Sequence, residues 1–392
     1  MFGRYDEVLR VPAFRRAELI SLLARIPQYG FGVTLTLHVV QTLGMSYTAA
    51  GVVAAVYTIA AAIAAPWRGR LLDRLGLRRT LLPSLVIVPL VWGVAPFLPY
   101  WLLVVACGVG GLFSLPLFSL IRQIVVAAAP AGARRTALSL DSVLVEINFM
   151  IGPLLAILAV TEYGTRPTLI ALTVFSSLGG ALLAVVNPPL IAPREPGDEV
   201  DPGPAPRRRE WLSPAVLGVY GAVLSAGIIL SGTDVSLVAA LRTFERTDLL
   251  GLVITVWCAG SAVGGLVYGA MHRSVPSPLL LTGLAALTLP IALANGIPAI
   301  FVIVTVSGLF CAPLISATVD EVSGRVPESV RGEAMGWHGS ALTAGSSLGP
   351  PIVGLVLDTF GWRAGFLATG TIGLVVAALV VLLTTRRPAL AS

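Results

Sequence analysis

Gly69-Arg70-Leu71-Leu72-Asp73-Arg74-Leu75-Gly76-Leu77-Arg78-Arg79 lies between two long apolar runs. Such a density of guanidinium groups beside a carboxylate is too costly to hold in hydrocarbon, so the stretch has to be a water-facing turn between two membrane spans. The chain therefore reads as a polytopic membrane protein. Composition agrees, because 56% apolar and 12% charged residues, with a mean hydropathy of +0.89, cannot form a water-soluble surface.

Windows of about 20 largely apolar residues, the length that crosses roughly 30 Å of hydrocarbon in a helix, recur along the whole chain. They fall near 17–40, 47–66, 80–98, 101–126, 137–160 and 167–187, then near 214–240, 248–270, 278–294, 298–320, 334–358 and 363–385. Helices are required, because lipid offers no partner to backbone amides. A β-barrel would show shorter segments of alternating polarity, which are absent. The expected fold is an all-α integral membrane protein with twelve transmembrane helices in two pseudo-symmetric six-helix bundles.

All 26 basic residues are arginine. With the N-terminus in the cytoplasm, twenty of them fall on the inner side and only Arg166, Arg242, Arg246 and Arg363 fall in outer loops. The positive-inside bias thus places both termini in the cytoplasm, and the net charge of +6 reflects topology, not a nucleic-acid surface. Tyr100, Trp101, Tyr163 and Trp362 mark the outer boundary; Trp67, Trp211 and Trp337 mark the inner one. No cleavable signal peptide is evident, and the first apolar run, which contains Arg25, is expected to be retained.

Residues 188–213 are rich in proline and mixed charge and read as a cytoplasmic linker between an N-terminal bundle, 1–187, and a C-terminal bundle, 214–392. The two halves look duplicated. Pro116, Arg134, Ala137, Gly152 and Pro153 recur as Pro313, Arg331, Ala334, Gly349 and Pro350, all at a spacing of 197. Cys107, Cys258 and Cys311 lie in separate spans, and His38, His272 and His338 are scattered, so no metal, cofactor or covalent-nucleophile constellation is expected. The cysteines read as small packing residues.

Twelve spans in two halves and the turn at 69–79 together resemble the major facilitator superfamily of secondary transporters. The family's loop signature is matched by Gly69, Leu71, Asp73, Arg74, Gly76, Arg78 and Arg79. The resemblance implies that Asp73 and its arginines form a cytoplasmic latch between the halves; a solvated basic loop that merely sets topology is the alternative. The second-half counterpart, Gly265-Leu266-Val267-Tyr268-Gly269, lacks the aspartate and most arginines. A glycine pattern that the family links to antiporters is carried by Gly336, Gly345, Gly349 and Pro350 in the eleventh span. The fifth span keeps only Gly152 and Pro153, with Ser139 and Asn148 at the earlier positions. Close helix packing through small residues explains the same pattern.

Charge inside the membrane narrows the candidate site, because an ionisable group there is kept for a pathway, a pair or a proton. On the first span Ser21, Arg25, Gln28, Tyr29, Gly32 and Thr36 share one face, which should line an aqueous cavity or form a polar helix–helix seam. Glu146 and Arg25 stand at equal expected depth, so they are expected to pair, Glu146 exchanging a proton while Arg25 holds its charge; a purely structural ion pair is the alternative. Ser139, Ser142 and Glu146 share one face of the fifth span, and Asp141, Asn148 and Gly152 nearly the opposite one. Arg122 stands level with Asp141, suggesting a structural or gating pair unless both snorkel to water. In the seventh span Tyr220, Gly227, Ser231 and Asp234 form another polar face, with Asp234 a second candidate acid or a solvated end residue. Asp320, Glu321, Glu328, Glu333 and Asp358 are expected to be solvated, and His338 is expected to gate or pack, with pH sensing open to it.

The expected function is secondary transport across the plasma membrane by alternating access, with proton-coupled export of a small amphipathic compound by a monomer in lipid. A proton-coupled importer of a polar nutrient is one rival. A non-transporting membrane receptor or enzyme is another, and the longest loop is too short for its soluble domain. Substrate identity is not legible, since one fold hosts many cargoes.

Overall fold

In the computed structural model, residues 3–130, 132–190, 206–271 and 273–385 are described. Most of the expected linker, 191–205, lies outside the described residues, as do His272, Arg194, Arg386 and Arg387. The chain runs through α1 (Gly3–Arg10), α2 (Pro12–Leu37), α3 (Tyr47–Val94), α4 (Tyr100–Leu112), α5 (Leu117–Ala128), α6 (Arg134–Tyr163) and α7 (Thr165–Val186). A short α8 (Arg208–Trp211) precedes α9 (Pro214–Thr243), α10 (Leu250–Ala270), α11 (Ser277–Thr288), α12 (Ile297–Gly308), α13 (Cys311–Arg325), α14 (Arg331–Phe360) and α15 (Trp362–Thr385). No strand occurs among the described residues.

Nine helical segments among the described residues are long and apolar enough to cross a membrane. Each of the twelve windows nevertheless coincides with helix. Two windows share the segment Thr48–Phe97, α2 is less apolar because of its polar stripe, and Ser277–Leu293 is shorter. Inside α3 the helix turns back at Gly76, whose φ of 74° is a left-handed conformation that suits glycine. Many large apolar side chains face outward, among them Trp101, Leu355 and Phe360, each more than 70% exposed. In a soluble protein that surface would aggregate; here it meets acyl chains. The protein is a multi-pass integral membrane protein.

The duplication is visible in backbone detail. Gly164 (φ 83°) and Gly361 (φ 78°), 197 residues apart, make the same tight turn before α7 and α15. Span four breaks between α4 and α5 just before Leu117, and span ten breaks between α12 and α13 at the equivalent place. Within the first bundle Gly30 packs onto Gly152 of α6, and within the second Gly227, 197 residues later, packs onto α14 beside Gly345. Gly349 completes that second crossing against Ile228 and Ser231, as Gly152 does against Ile26 and Tyr29 in the first. Small residues thus bring α2 onto α6 and α9 onto α14 at near backbone contact.

Between the bundles, α3 meets α14 and α6 meets α10 and α13. Gly69 abuts Gly332 and Gly336 abuts Ala65, while Gly265 and Gly269 lie against Val143 and Ser139. One buried apolar cluster joins Leu72, Leu120 and Leu138 of the first bundle to Val219, Val319 and Met335 of the second. These contacts gather at the end of the molecule that carries residues 69–79, here called the cassette face.

Candidate functional site

At the cassette face, Asp73 reaches across to the other bundle. Its Oδ1 accepts from the Gly332 amide at 2.7 Å and its Oδ2 from the Glu333 amide at 2.8 Å. These are orphan donors in the first turn of α14, so Asp73 acts as a cap supplied from a different bundle. Burial pushes its carboxyl up from 3.8 to about 7, against the two amide donors that favour the charged form. Arg70 donates to Glu333 at 2.9 Å and Arg208 donates to it at 2.6 Å. Arg134 meets Asp320 at 2.6 Å, and Tyr5, Thr136 and Arg135 donate to the carbonyls of Leu266, Gly269 and Met271.

The arginines expected to work with Asp73 do not cross. Arg78 donates to the carbonyls of Ala184 and Val185, closing the end of α7 in its own bundle, and Arg74 and Arg79 are exposed. Arg70, unremarked in the signature, is the arginine that bridges. Glu333, expected to be solvated, is 2% exposed because two guanidiniums cover it, and Asp320 is likewise paired.

Deeper in the molecule, the expected Arg25–Glu146 pair is not formed. Arg25 Nη1 donates to Asp141 Oδ1 at 2.5 Å, and Arg122 Nε donates to Asp141 Oδ2 at 3.2 Å. The Arg122–Asp141 pair is therefore buried, not snorkelling, with Arg25 as its third member. The reason is rotational. Asp141 and Glu146 are five residues apart on α6, about 140° around the helix, so only one of them can face α2. Glu18, two turns before Arg25 on the same face, joins this cluster, 5% exposed and within electrostatic reach of both arginines. The i, i+7 spacing of Glu18 and Arg25 was the available signal, and the sequence reading passed over it.

Glu146 instead faces the second bundle. Ser261 of α10 donates to its Oε1 at 2.6 Å, and the Cys311 sulfur lies 3.9 Å away. On the same face Ser142 shares a hydrogen bond with Ser316 at 2.8 Å. Glu146 opens into a cavity of about 360 Å³ between the bundles, lined also by Tyr29, Arg122, Ser142, Ser231, Asp234 and Trp257. Cys258 and Cys311 border this cavity too, whereas Cys107 is buried in an apolar cluster of the first bundle.

Several expected lining residues lie elsewhere. Gln28 turns into a separate small cavity of about 40 Å³ within the first bundle, beside Phe31, Tyr57 and Trp92. Gly32 is exposed, and the Thr36 hydroxyl is spent on its own Gly32 carbonyl. Tyr220 is buried and donates to the Ala334 carbonyl at 2.9 Å, tying α9 to α14. A stripe at constant helical spacing predicts one face, but the face changes neighbour along the helix. His338 is buried, shares a hydrogen bond with Thr318 at 3.0 Å, and stacks on Phe118 across the bundle seam with centroids 5.6 Å apart. The Arg122 guanidinium covers the same Phe118 ring at 4.1 Å. No group of three or more metal-ligating side chains occurs among the described residues.

Known proteins share this architecture. The human organic anion transporter MFSD10 (TETRAN) superposes with a TM-score of 0.69 at 18% identity, covering 94% of this chain and 100% of that one. A bacterial homologue of the iron transporter ferroportin in an outward-facing state gives 0.76 at 13% identity, over 95% and 100%. FucP, a Major Facilitator Superfamily transporter in its outward conformation, gives 0.69 at 12% identity, over 94% and 99%. At these identities the likeness speaks for the fold alone. The sequence itself matches the Major Facilitator Superfamily over residues 18–249 and 246–392. Two bundles sealed at one face around a central cavity, and a family match that runs from the first span to the last residue, make this chain a transporter, not an enzyme, and a member of the Major Facilitator Superfamily.

Proposed function

We propose that the protein is a monomeric secondary transporter of the plasma membrane that exports a small amphipathic compound in exchange for protons. The cassette face lies in the cytoplasm with both termini, and residues 1–187 and 214–392, joined by the 188–213 linker, rock about the central cavity to expose it alternately. The seam of inter-bundle contacts supports reading the present arrangement as closed to the cytoplasm.

One observation carries the proposal: Glu146 and Asp234 line a largely apolar cavity, and neither forms an ion pair among the described residues. A carboxyl so placed is tolerated in the membrane interior when a proton or a cationic ligand neutralises it. Binding of one then competes with binding of the other, which is the minimum requirement for exchange. Of the Arg25–Asp141–Arg122 cluster only Arg122 reaches the cavity wall; the cluster shapes the cavity and does not exchange protons with Glu146.

Counterflow in inverted membrane vesicles tests the direction, with candidate compounds taken from a thermal-shift screen of the purified protein. Export predicts proton-driven accumulation inside such vesicles, abolished in Glu146→Gln. Uptake by that variant with its pH dependence intact eliminates the proton role.

A further inference from the structure

The charged groups around the central cavity do not balance. Arg25 and Arg122 are both hydrogen-bonded to Asp141, and the buried Glu18 lies in their field. Phe118 covers the Arg122 guanidinium at 4.1 Å. Glu146 has Ser261, Cys258 and Cys311 as its partners, and Asp234 has no hydrogen bond or ion pair among the described residues. Among the described residues, the cavity lining thus carries two carboxyls without an ion pair and one guanidinium, that of Arg122, which is already hydrogen-bonded to Asp141. Tyr29 on α2, Arg122 on α5, Cys258 on α10 and Cys311 on α13 are the other titratable groups that line the cavity, and of these only Arg122 carries a positive charge, which Asp141 already meets.

The remaining wall is suited to a bulky apolar body. Phe149, Leu230, Ile254 and Trp257 contribute apolar surface, and aromatic faces attract cations besides. Trp257 is 6% exposed and borders the cavity.

We infer that the cavity takes a monovalent organic cation with an aromatic or branched aliphatic body, Glu146 and Asp234 serving as its counter-charges in place of protons. An organic anion would face both carboxylates, while Arg122, the cation of the described lining, is already hydrogen-bonded to Asp141 and stacked on Phe118. This inference rests on the reading of the cavity as the transport site.

The test uses the full-length protein in nonionic detergent with tetraphenylphosphonium and tetraphenylborate, ions of matched shape and opposite charge. Binding is read by equilibrium dialysis against protein-free micelles. The phosphonium ion is expected to bind saturably and at least about tenfold more tightly than the borate near pH 8, and to weaken progressively as falling pH protonates the carboxyls. In weak buffer its binding releases protons. Glu146→Gln and Asp234→Asn should each weaken it by about tenfold, and Glu146→Asp should restore most of the loss. Tighter borate binding, equal affinities, binding of neither ion, or phosphonium affinity unchanged in the double variant Glu146→Gln/Asp234→Asn would overturn the inference. Phosphonium binding without proton release upholds it and removes proton exchange instead. Proton-driven flux of another solute by a protein that excludes the phosphonium ion removes the cation inference alone.

Discussion

Asp141 and Glu146 show how five residues on one helix separate a charge paired within one bundle from one that faces the central cavity. Asp141 is fully buried and accepts from two guanidiniums, so its neutral isostere leaves two like charges facing each other out of water. Asp141→Asn should therefore destabilise the protein by about 3–5 kcal/mol. Glu146→Gln keeps an oxygen to accept from Ser261 and should cost no more than about 1 kcal/mol. Thermal denaturation of the two purified variants measures the difference, and equal losses would contradict it. The division itself was legible in the sequence, where Ser139, Ser142 and Glu146 share one face of α6 and Asp141, Asn148 and Gly152 another. In the structure the first set meets Gly269, Ser316 and Ser261 of the second bundle, and the second set meets α2. What periodicity could not supply was which face met Arg25. Depth along the membrane normal is a one-dimensional coordinate, and two residues at one depth still have the whole circumference of a helix on which to miss each other.

The helices of the seam are held by close approach as much as by charge, and here sequence legibility was of a different kind. Gly69, Gly336 and Asp73 belong to recognisable patterns, whereas Arg70, Arg208 and Glu333 become partners only when α3 and α8 converge on α14. A methyl group at Gly69 would overlap the Gly332 carbonyl. Gly69→Ala should cost the closed arrangement about 1–3 kcal/mol, an overpacking term, and so enrich the state open at the cassette face about 5- to 150-fold. A cysteine at Ser316, 1% exposed at the seam, reports the change. Its labelling by a membrane-impermeant maleimide from the cassette side should rise in Gly69→Ala; unchanged labelling would mean that the contact does not restrain opening. Asp73 adds a pH dependence with a definite sign. Closed, its carboxyl titrates at about 7, whereas freed to water it returns to 3.8, so closure binds a proton. Its contribution to closure is complete below pH 3.8 and is lost as pH rises through about 7. Spin labels at the exposed Leu75 and Arg325 should move apart on average over that window, and Asp73→Asn should flatten the response. A response that survives Asp73→Asn assigns the titration elsewhere.

At the scale of the whole molecule, the repeat at 197 residues separates two kinds of interface. The crossings Gly30–Gly152 and Gly227–Gly345 lie inside the bundles and are duplicated with the bundles themselves, so nothing in alternating access requires them to move. The seam between bundles is not duplicated in its chemistry: Asp73 caps α14, while the related end of α6 is met by the carbonyl of Gly269 through Thr136. One set of contacts should therefore persist throughout the cycle and the other should form and break. Paired cysteines distinguish them, in a background without Cys107, Cys258 and Cys311. Ser340 donates to the Ala62 carbonyl at 2.6 Å across the seam, and the Thr42 and Thr165 hydroxyls lie 2.6 Å apart within the first bundle. Oxidation of Ala62→Cys/Ser340→Cys should hold the cassette face shut and reduce transport about tenfold or more, reversibly on reduction. Oxidation of Thr42→Cys/Thr165→Cys should leave transport within about twofold, because that pair rides on one rigid body. If both cross-links arrest transport, the bundles deform internally during the cycle, and the shared glycine crossings are hinges instead of fixed joints.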